Sequence, residues 1–436
     1  MEPASAGRLE CHLRHLAGEI GVRLAGTEAE KRAAEYCERA FREAGAKVSR
    51  ETFPAKARRV REERLEVRIG GEWFPFPSSL FTNSPGTDGV PIEAPLEFFE
   101  APAASGSRDL GRLRGKAVVH LGCHIESRDF YRRLLEARPA FLLLVDVRYP
   151  GAVPLADGMF PAYVEAIGAV PTANVAYQDA WRWRVEGATA ARLCVRGGMV
   201  ESTSENVVAE LPGSDPASEI IYAGAHHDTQ ADSPGADDNA TGVAGVLELA
   251  RVLAPLPRRR TIRLVSFGAE EQLSLGSAAY VRARRREVEE RAALIWNFDS
   301  FGSWLGWTEL VISGPPELER RALRSFEERD LPVLPVREVV PYADHFPFVA
   351  AGVPGATLWR RNCTAGRFFH HRADDDLSRV STALMARILD ATAAFLRDLA
   401  SAPRLPFPRT VPEPAAQEAA RLWEDLFGGW GPEAPK

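Results

Sequence analysis

The chain has 436 residues, of which 45% are hydrophobic and 26% are charged, with a formal net charge of −6. That length and balance predict a globular protein of two or three domains with a substantial core. The mild acidity argues against a nucleic-acid partner, and five scattered cysteines (Cys11, Cys37, Cys123, Cys194, Cys363) with no C-x-x-C argue against a disulfide framework or a thiolate zinc site.

At the start, MEPASAGRLECHLRHL lacks the apolar run of a signal peptide, and no stretch reaches the roughly 18–20 apolar residues of a membrane span. The expectation is a cytoplasmic protein that does not engage a membrane. Residues 7–46 predict two helices. Leu9, Leu13 and Leu16 recur at helical spacing. Thr27 is placed as an N-cap with Glu30 three residues later, Gly45 is the stop, and Ala33, Tyr36, Cys37, Ala40 and Phe41 make one apolar face. Residues 47–100 alternate as strands do. From Leu113 the segments GKAVVHLG, AFLLLVDV and ARLCVRGG read as short strands interleaved with small helices, a compact β-rich unit without a metal-type cluster.

From Glu205 the texture is α/β. Strands NVVAEL, EIIYAGA, TIRLVSF, ALIWNFD, ELVIS and GATLW alternate with helices over 240–254, 277–290, PELERRALRSFEERD, a short turn of helix near His345–Ala351, and 381–400. This predicts a mostly parallel mixed sheet with helices on both faces. After Ser401 the chain is rich in proline, with one amphipathic piece, EAARLWEDLF.

Metal-competent side chains recur at the ends of these strands. His226 and Asp228 follow IIYAGA, with Asp238 at the next helix entry. Glu270 and Glu271 follow TIRLVSFGA, Asp299 ends ALIWNFD, and His370 and His371 lie beyond GATLW. Strand ends and the loops after them are where α/β folds build sites. Carboxylates clustered there repel one another unless a cation sits among them.

The pattern resembles the co-catalytic zinc aminopeptidases of metallopeptidase family 28. That family has an H-x-D, a G-x-x-D-N at a helix start, an E-E, an Asp after an apolar strand and a late His. Here these are His226-His227-Asp228, Gly235-Ala236-Asp237-Asp238-Asn239, Glu270-Glu271, Asn297-Phe298-Asp299 and His371, and Ala343-Asp344-His345-Phe346-Pro347-Phe348 resembles its S-D-H-x-P-F. The resemblance implies a zinc-dependent exopeptidase fold with two zinc ions per chain. Asp238 would bridge them, His226 and Asp299 would complete one site, and Glu271 and His371 the other. Glu270 would be the general base toward a water between the metals, and Asp228 would orient His226. His227 is expected to face away, as neighbouring strand residues do. His370 stands where some members carry a Tyr that donates to the substrate oxygen, and takes that catalytic role here. The loop H-R-A-D-D-D-L departs from the family's H-T-P-A-D-T-L.

The resemblance also implies domains at 1–60 (N-terminal helices and strand of the catalytic domain), 61–199 (an inserted protease-associated-like domain), 200–400 (the catalytic domain) and 401–436 (the tail). Phe301, Trp304, Asp344, His345 and Arg361, with Trp307, Arg360 and Arg367 nearby, are candidates for a substrate pocket. The expected partner is a peptide or small amide, and the expected activity is removal of N-terminal residues. Alternatives on the same fold are hydrolysis of dipeptides or N-acyl amino acids, a single-zinc glutaminyl cyclase, and a non-catalytic binding protein. Retention of every ligand and of Glu270 argues against the last two.

Overall fold

The computed structural model describes the chain apart from residues 101–109, 123, 126, 148–150, 152, 216–218, 362–368 and 432–436. It divides into two compact units, one of Met1–Ala55 with Thr203–Trp423, the other of Lys56–Ser202 with Glu424–Lys436.

The main path of the first unit's sheet runs through seven strands: β1 (Ala190–Leu211, in this unit from Thr203), β2 (Ile220–His226), β3 (Thr261–Phe267), β4 (Ala292–Phe298), β5 (Trp307–Ser313), β6 (Val333–Val336) and β7 (Gly355–Arg361). Their order across the sheet is β6-β5-β7-β4-β2-β3-β1. The middle four, β7, β4, β2 and β3, are mutually parallel, and β5 and β1 flank them antiparallel. All seven residues of β2 and of β4 are buried. Strands covered on both faces read as unbroken apolar runs, which is why IIYAGA and ALIWNF lack the alternation of a one-sided sheet.

Helices α1 (Ala6–Leu13), α2 (Glu28–Glu43), α3 (Gly242–Leu253), α4 (Pro316–Glu327) and α5 (Thr382–Ser401) bury their apolar faces in one cluster with Ala223, Leu294, Trp296 and Leu358 of the sheet. An aromatic group of Tyr222, Phe267, Tyr280 and Phe348, with ring centroids 5.0–6.4 Å apart, packs separately from that cluster. Close approach of α3 to the sheet needs Gly242. A Cβ there would come within 2.8 Å of Ala225 Cβ and 2.3 Å of Asn239 Oδ1.

Two elements differ from the sequence expectation. The helix expected over 277–290 is two, Leu275–Ala283 and Arg285–Arg291, parted where Arg284 leaves helical geometry at φ −117° and ψ 22°. No glycine or proline announces that break. The tail forms a longer helix, Glu413–Phe427. Its Trp423 is buried in the first unit against the Phe346 ring and beneath the Arg282 guanidinium, 4.7 Å from the ring centroid. Among the described residues no helix is long and apolar enough to cross a membrane.

The second unit carries parallel strands Ile92–Phe99, Ala117–Leu121, Phe141–Val145 and Thr172–Val175, with Ser78–Leu80 antiparallel at the edge. Val119, Leu143, Val145 and Trp183 form its core. His120 is buried near the Phe99 and Phe130 rings, with centroids at 5.8 and 6.2 Å, and burial lowers its pKa to about 4. A folded-state pKa below the unfolded value of about 6.5 means full stability above pH 6.5 and progressive loss down to pH 4. Between pH 7 and pH 5 the second unit is expected to lose about 2 kcal/mol from this one group. In His120→Phe that part of the slope should vanish. Equal pH dependence of the unit's unfolding midpoint in parent and variant would rule it out.

Candidate metal centre

Every central strand of the first unit delivers a site residue at its C-terminal end. His226 closes β2. Glu270 and Glu271 open a turn three residues beyond β3, Asp299 follows β4 directly, and His370 and His371 follow β7. Parallel register aligns these ends, since Phe267 lies opposite His226 and Leu358 opposite Phe298.

The side chains meet at Asp238. One of its oxygens, Oδ1, is 3.3 Å from His226 Nε2, and the other, Oδ2, is 3.4 Å from His371 Nε2 and 3.1 Å from His370 Nδ1. Asp299 Oδ1 and Glu270 Oε2 stand 3.7 and 3.8 Å from His226 Nε2, and Glu271 Oε2 is 3.1 Å from His371 Nε2. Two sets of ligand atoms therefore converge, His226 with Asp238 and Asp299, and Asp238 with His370 and His371.

Backbone and neighbouring polar groups fix this arrangement. Asp375 accepts from the N–H groups of Asp237 and Asp238 at 2.9 and 3.0 Å, which aims the shared carboxylate. Asp237 turns the other way and accepts from Gly302 N–H at 2.8 Å and the Ser303 hydroxyl at 2.5 Å, tying down the loop after Asp299. Asn239 donates to Phe298 C=O at 2.9 Å and accepts from Gly242 N–H. The Asp228 carboxylate receives the N–H groups of Glu270 and Glu271 at 2.9 and 3.1 Å. His226 Nδ1 lies 3.2 Å from the Asp228 carbonyl and 3.5 Å from its carboxylate. Asp228 thus holds the two glutamates through their backbone as well as facing the imidazole. His227 faces away, its Nδ1 2.9 Å from the Ser266 hydroxyl, and burial lowers its pKa to about 4.

Six residues other than glycine in these loops adopt positive φ: Asp232, Ala269, Leu273, Ser274, Ser300 and His371. Each costs of order 1–3 kcal/mol, and such residues collect where side chains must be held in unusual places. Part of the hold on Ala269 comes from α2, where the buried Glu30 accepts from Ala269 N–H at 3.1 Å and from the Ser204 hydroxyl at 2.5 Å.

The electrostatics are those of an anionic cluster. Burial first, reinforced by Asp344, Asp299 and Glu271 and opposed by His226, raises Glu270 well above the ordinary carboxylate range. Burial together with Asp238, against His371, pushes Glu271 up to about 7. Asp238 itself is held well below the usual range, because His226, His370 and His371 outweigh its burial. Burial works against the imidazoliums, yet Glu270 and its neighbours raise His226, and Glu271 and Asp238 raise His371, well above the usual histidine value. Glu271 Oε1 and His371 Nδ1 are buried without a hydrogen-bond partner. Four carboxylates crowding imidazole nitrogens, with ligand atoms 3.1–3.8 Å apart, suit two divalent cations that accept nitrogen and oxygen donors.

The pocket candidates separate. Phe301 is wholly buried in the main core, 4.9 Å from the Phe298 ring and against Gly245, so it packs the loop rather than lining a pocket. Trp304 is 64% exposed, and Trp307 is also exposed. Arg360 is buried and ties the Ser303–Thr308 loop through Ser303 and Gly306 carbonyls and the Thr308 hydroxyl. Arg361 donates to Glu309 at 2.7 Å. Asp344 is buried within electrostatic reach of His226, and burial pushes it up to about 7. His345 is buried beside Gly355, the first residue of β7, where a Cβ would lie 3.3 Å from its ring. Arg367 lies outside the described residues.

Sequence reasoning missed three supports of the site: Asp375, Glu30 and the buried Arg23. Asp375 sits in an acidic triplet after His371, which is a local signal. Glu30 and Arg23 act more than 200 residues away in sequence, and nothing nearby marks them.

A mostly parallel sheet that gathers imidazoles and carboxylates from all four central strand ends around one shared aspartate defines an α/β metallohydrolase. Residues 206–396 match the model of peptidase family M28, and the chain carries a peptidase family M28 domain. The chain is similar to aminopeptidase YwaD of Bacillus subtilis (strain 168), at 24% identity over 437 residues covering 97% of this chain and 91% of that protein. Among solved structures it resembles BSAP, a zinc aminopeptidase from Bacillus subtilis, with a TM-score of 0.73 and 22% identity over 92% of this chain and 96% of that one. It also resembles a peptidase M28 precursor from Shewanella amazonensis SB2B, with a TM-score of 0.75 and 21% identity over 94% of this chain and 96% of that one. These structural likenesses establish the fold.

Proposed function

We propose that this protein is a zinc-dependent aminopeptidase that hydrolyses the N-terminal peptide bond of its substrate with two zinc ions per chain. The observation that carries this reading is the shared carboxylate of Asp238, with one oxygen toward His226 and the other toward His371. His226 and Asp299 would hold one ion, and Glu271 and His371 the other. When bound, such a pair lowers the pKa of water and polarises an amide carbonyl.

The chain's own groups do the rest. Glu270 is the general base. Its Oε1 accepts the Ser274 hydroxyl at 2.9 Å, which leaves Oε2 toward the cluster. It takes a proton from water at Oε2 and returns it to the departing amine nitrogen. Asp228 fixes where that oxygen stands, by holding the Glu270 N–H. Burial of the cluster keeps bulk water from screening these charges. The second unit, Lys56–Ser202, is proposed as the counterpart of a protease-associated domain.

The test is metal content by mass spectrometry, with a panel of aminoacyl anilides as substrates. About two zinc ions per chain and cleavage abolished by a chelator are the expected results. Two zinc ions with no cleavage of any anilide would refute the aminopeptidase assignment, and no bound zinc would refute the ligand assignment.

A further inference from the structure

The second cluster holds one more ligand-competent atom than the proposed function uses. His370 Nδ1 is 3.1 Å from Asp238 Oδ2, the same oxygen that His371 Nε2 approaches at 3.4 Å. Glu271 Oε2 closes the group at 3.1 Å from His371 Nε2. Two ligands about 2.0–2.2 Å from a tetrahedral ion stand roughly 3.3–3.6 Å apart. The observed separations are close to that spacing, and ligand atoms of Asp238, His370 and His371 all lie within 4.8 Å of one another.

Ring geometry points the same way. The His370 and His371 imidazoles are stacked, with centroids 3.6 Å apart and planes at 24°. The stack sets His370 Nδ1 and His371 Nε2 both within 3.4 Å of Asp238 Oδ2, where one cation can take both nitrogens and the carboxylate together. A hydrogen bond from His370 to Asp238 would engage only the carboxylate.

We infer that His370 is a ligand of the second metal ion, so that this site is made by two imidazoles, His370 Nδ1 and His371 Nε2, with Asp238 and Glu271. This rests on the two-metal reading above, and it replaces the oxygen-donor role expected for His370 from the sequence. The two sites are then unequal. The first has a single imidazole, His226, beside the carboxylates of Asp238 and Asp299. Nitrogen-rich sites favour zinc, cobalt, nickel and copper, whereas carboxylate-rich sites also admit manganese and magnesium. The His370 site therefore fills first and holds its ion more tightly.

The experiment is a metal titration of the full chain after chelation, with zinc affinities from a competing chromophoric chelator and cobalt followed by its d–d absorption. The parent is compared with His370→Ala and His370→Gln. Glutamine can still donate to Asp238, but it is a poor ligand for either metal. Both variants are expected to bind the second ion at least roughly 100-fold more weakly, beyond the range usual for groups that only orient a ligand. Both should lose the cobalt band of the tighter site and leave the other site's affinity unchanged. Full affinity in His370→Gln with weakened affinity in His370→Ala would make His370 a positioning donor and overturn the inference. Unchanged affinity in both would overturn it as well, while leaving the two-metal reading intact. A parent that binds no second ion would overturn that reading, and the inference with it.

Discussion

Glu270→Gln is expected to lower turnover by roughly 10²–10⁴-fold while metal content stays at the parental level. The amide is isosteric with the carboxylate. It can still accept the Ser274 hydroxyl at the position of Oε1, and the backbone N–H still reaches Asp228. What is lost is one basic oxygen facing His226. A ten-thousandfold drop corresponds to about 5.5 kcal/mol of transition-state stabilisation, and KM should move little, since the variant binds substrate through the same groups. The neighbouring Glu271→Gln makes the contrast. Glu271 Oε2 stands 3.1 Å from His371 Nε2, so that change should release metal as well as activity. Steady-state kinetics with metal analysis on the same samples separates the two. If Glu270→Gln loses zinc in proportion to activity, Glu270 is a ligand and the base lies elsewhere.

How far the site could be read from residues alone follows from the range of the interactions. The four clusters were legible because each follows an unbroken apolar run, and a buried parallel sheet places all such run ends on one edge. Asp238, Glu271, Asp299 and His371 were therefore recoverable as a group. Asp228 was legible as a partner of His226, but its grip on the backbone of Glu270 and Glu271 was not, since backbone donors leave no trace in side-chain spacing. Phe301 had the composition of a pocket wall. Only packing against Gly245 and Phe298 shows it to be core. The break at Arg284 carried no breaker residue, and the burial of Trp423 against Phe346 is a contact between distant segments. Helix periodicity predicts that EAARLWEDLF is amphipathic, but not what its apolar face meets.

Arg23 shows what such long-range contacts do for the site. Its side chain is fully buried, in the segment between α1 and α2. It donates to the carbonyls of Leu16, Gly21, His227, Pro234 and Gly235 at 2.7–3.1 Å, and its backbone exchanges hydrogen bonds with Thr229. Three of those carbonyls belong to the loop that carries the chain from His226 to Asp238. Burial lowers the guanidinium to about 10, with Asp228, Asp375 and Asp238 opposing, so it stays charged at neutral pH and supplies a fixed positive charge behind an anionic cluster. Arg23→Met is expected to cost about 3–5 kcal/mol, because it strands those carbonyls in a dry interior and removes a charge whose surroundings are built for it. That is a large share of the roughly 5–15 kcal/mol that holds a domain folded. Arg23→Lys should recover only part of it, since an ammonium has three donors and lacks the planar fork that reaches both sides of the loop. Urea unfolding of the first unit measures the stability. The zinc affinity of the folded variants reports whether the loop still holds His226 and Asp238 at their separation of 3.3 Å. Parental stability in Arg23→Met would mean that those carbonyls find other partners, and that the N-terminal segment is not what sets the spacing of the site.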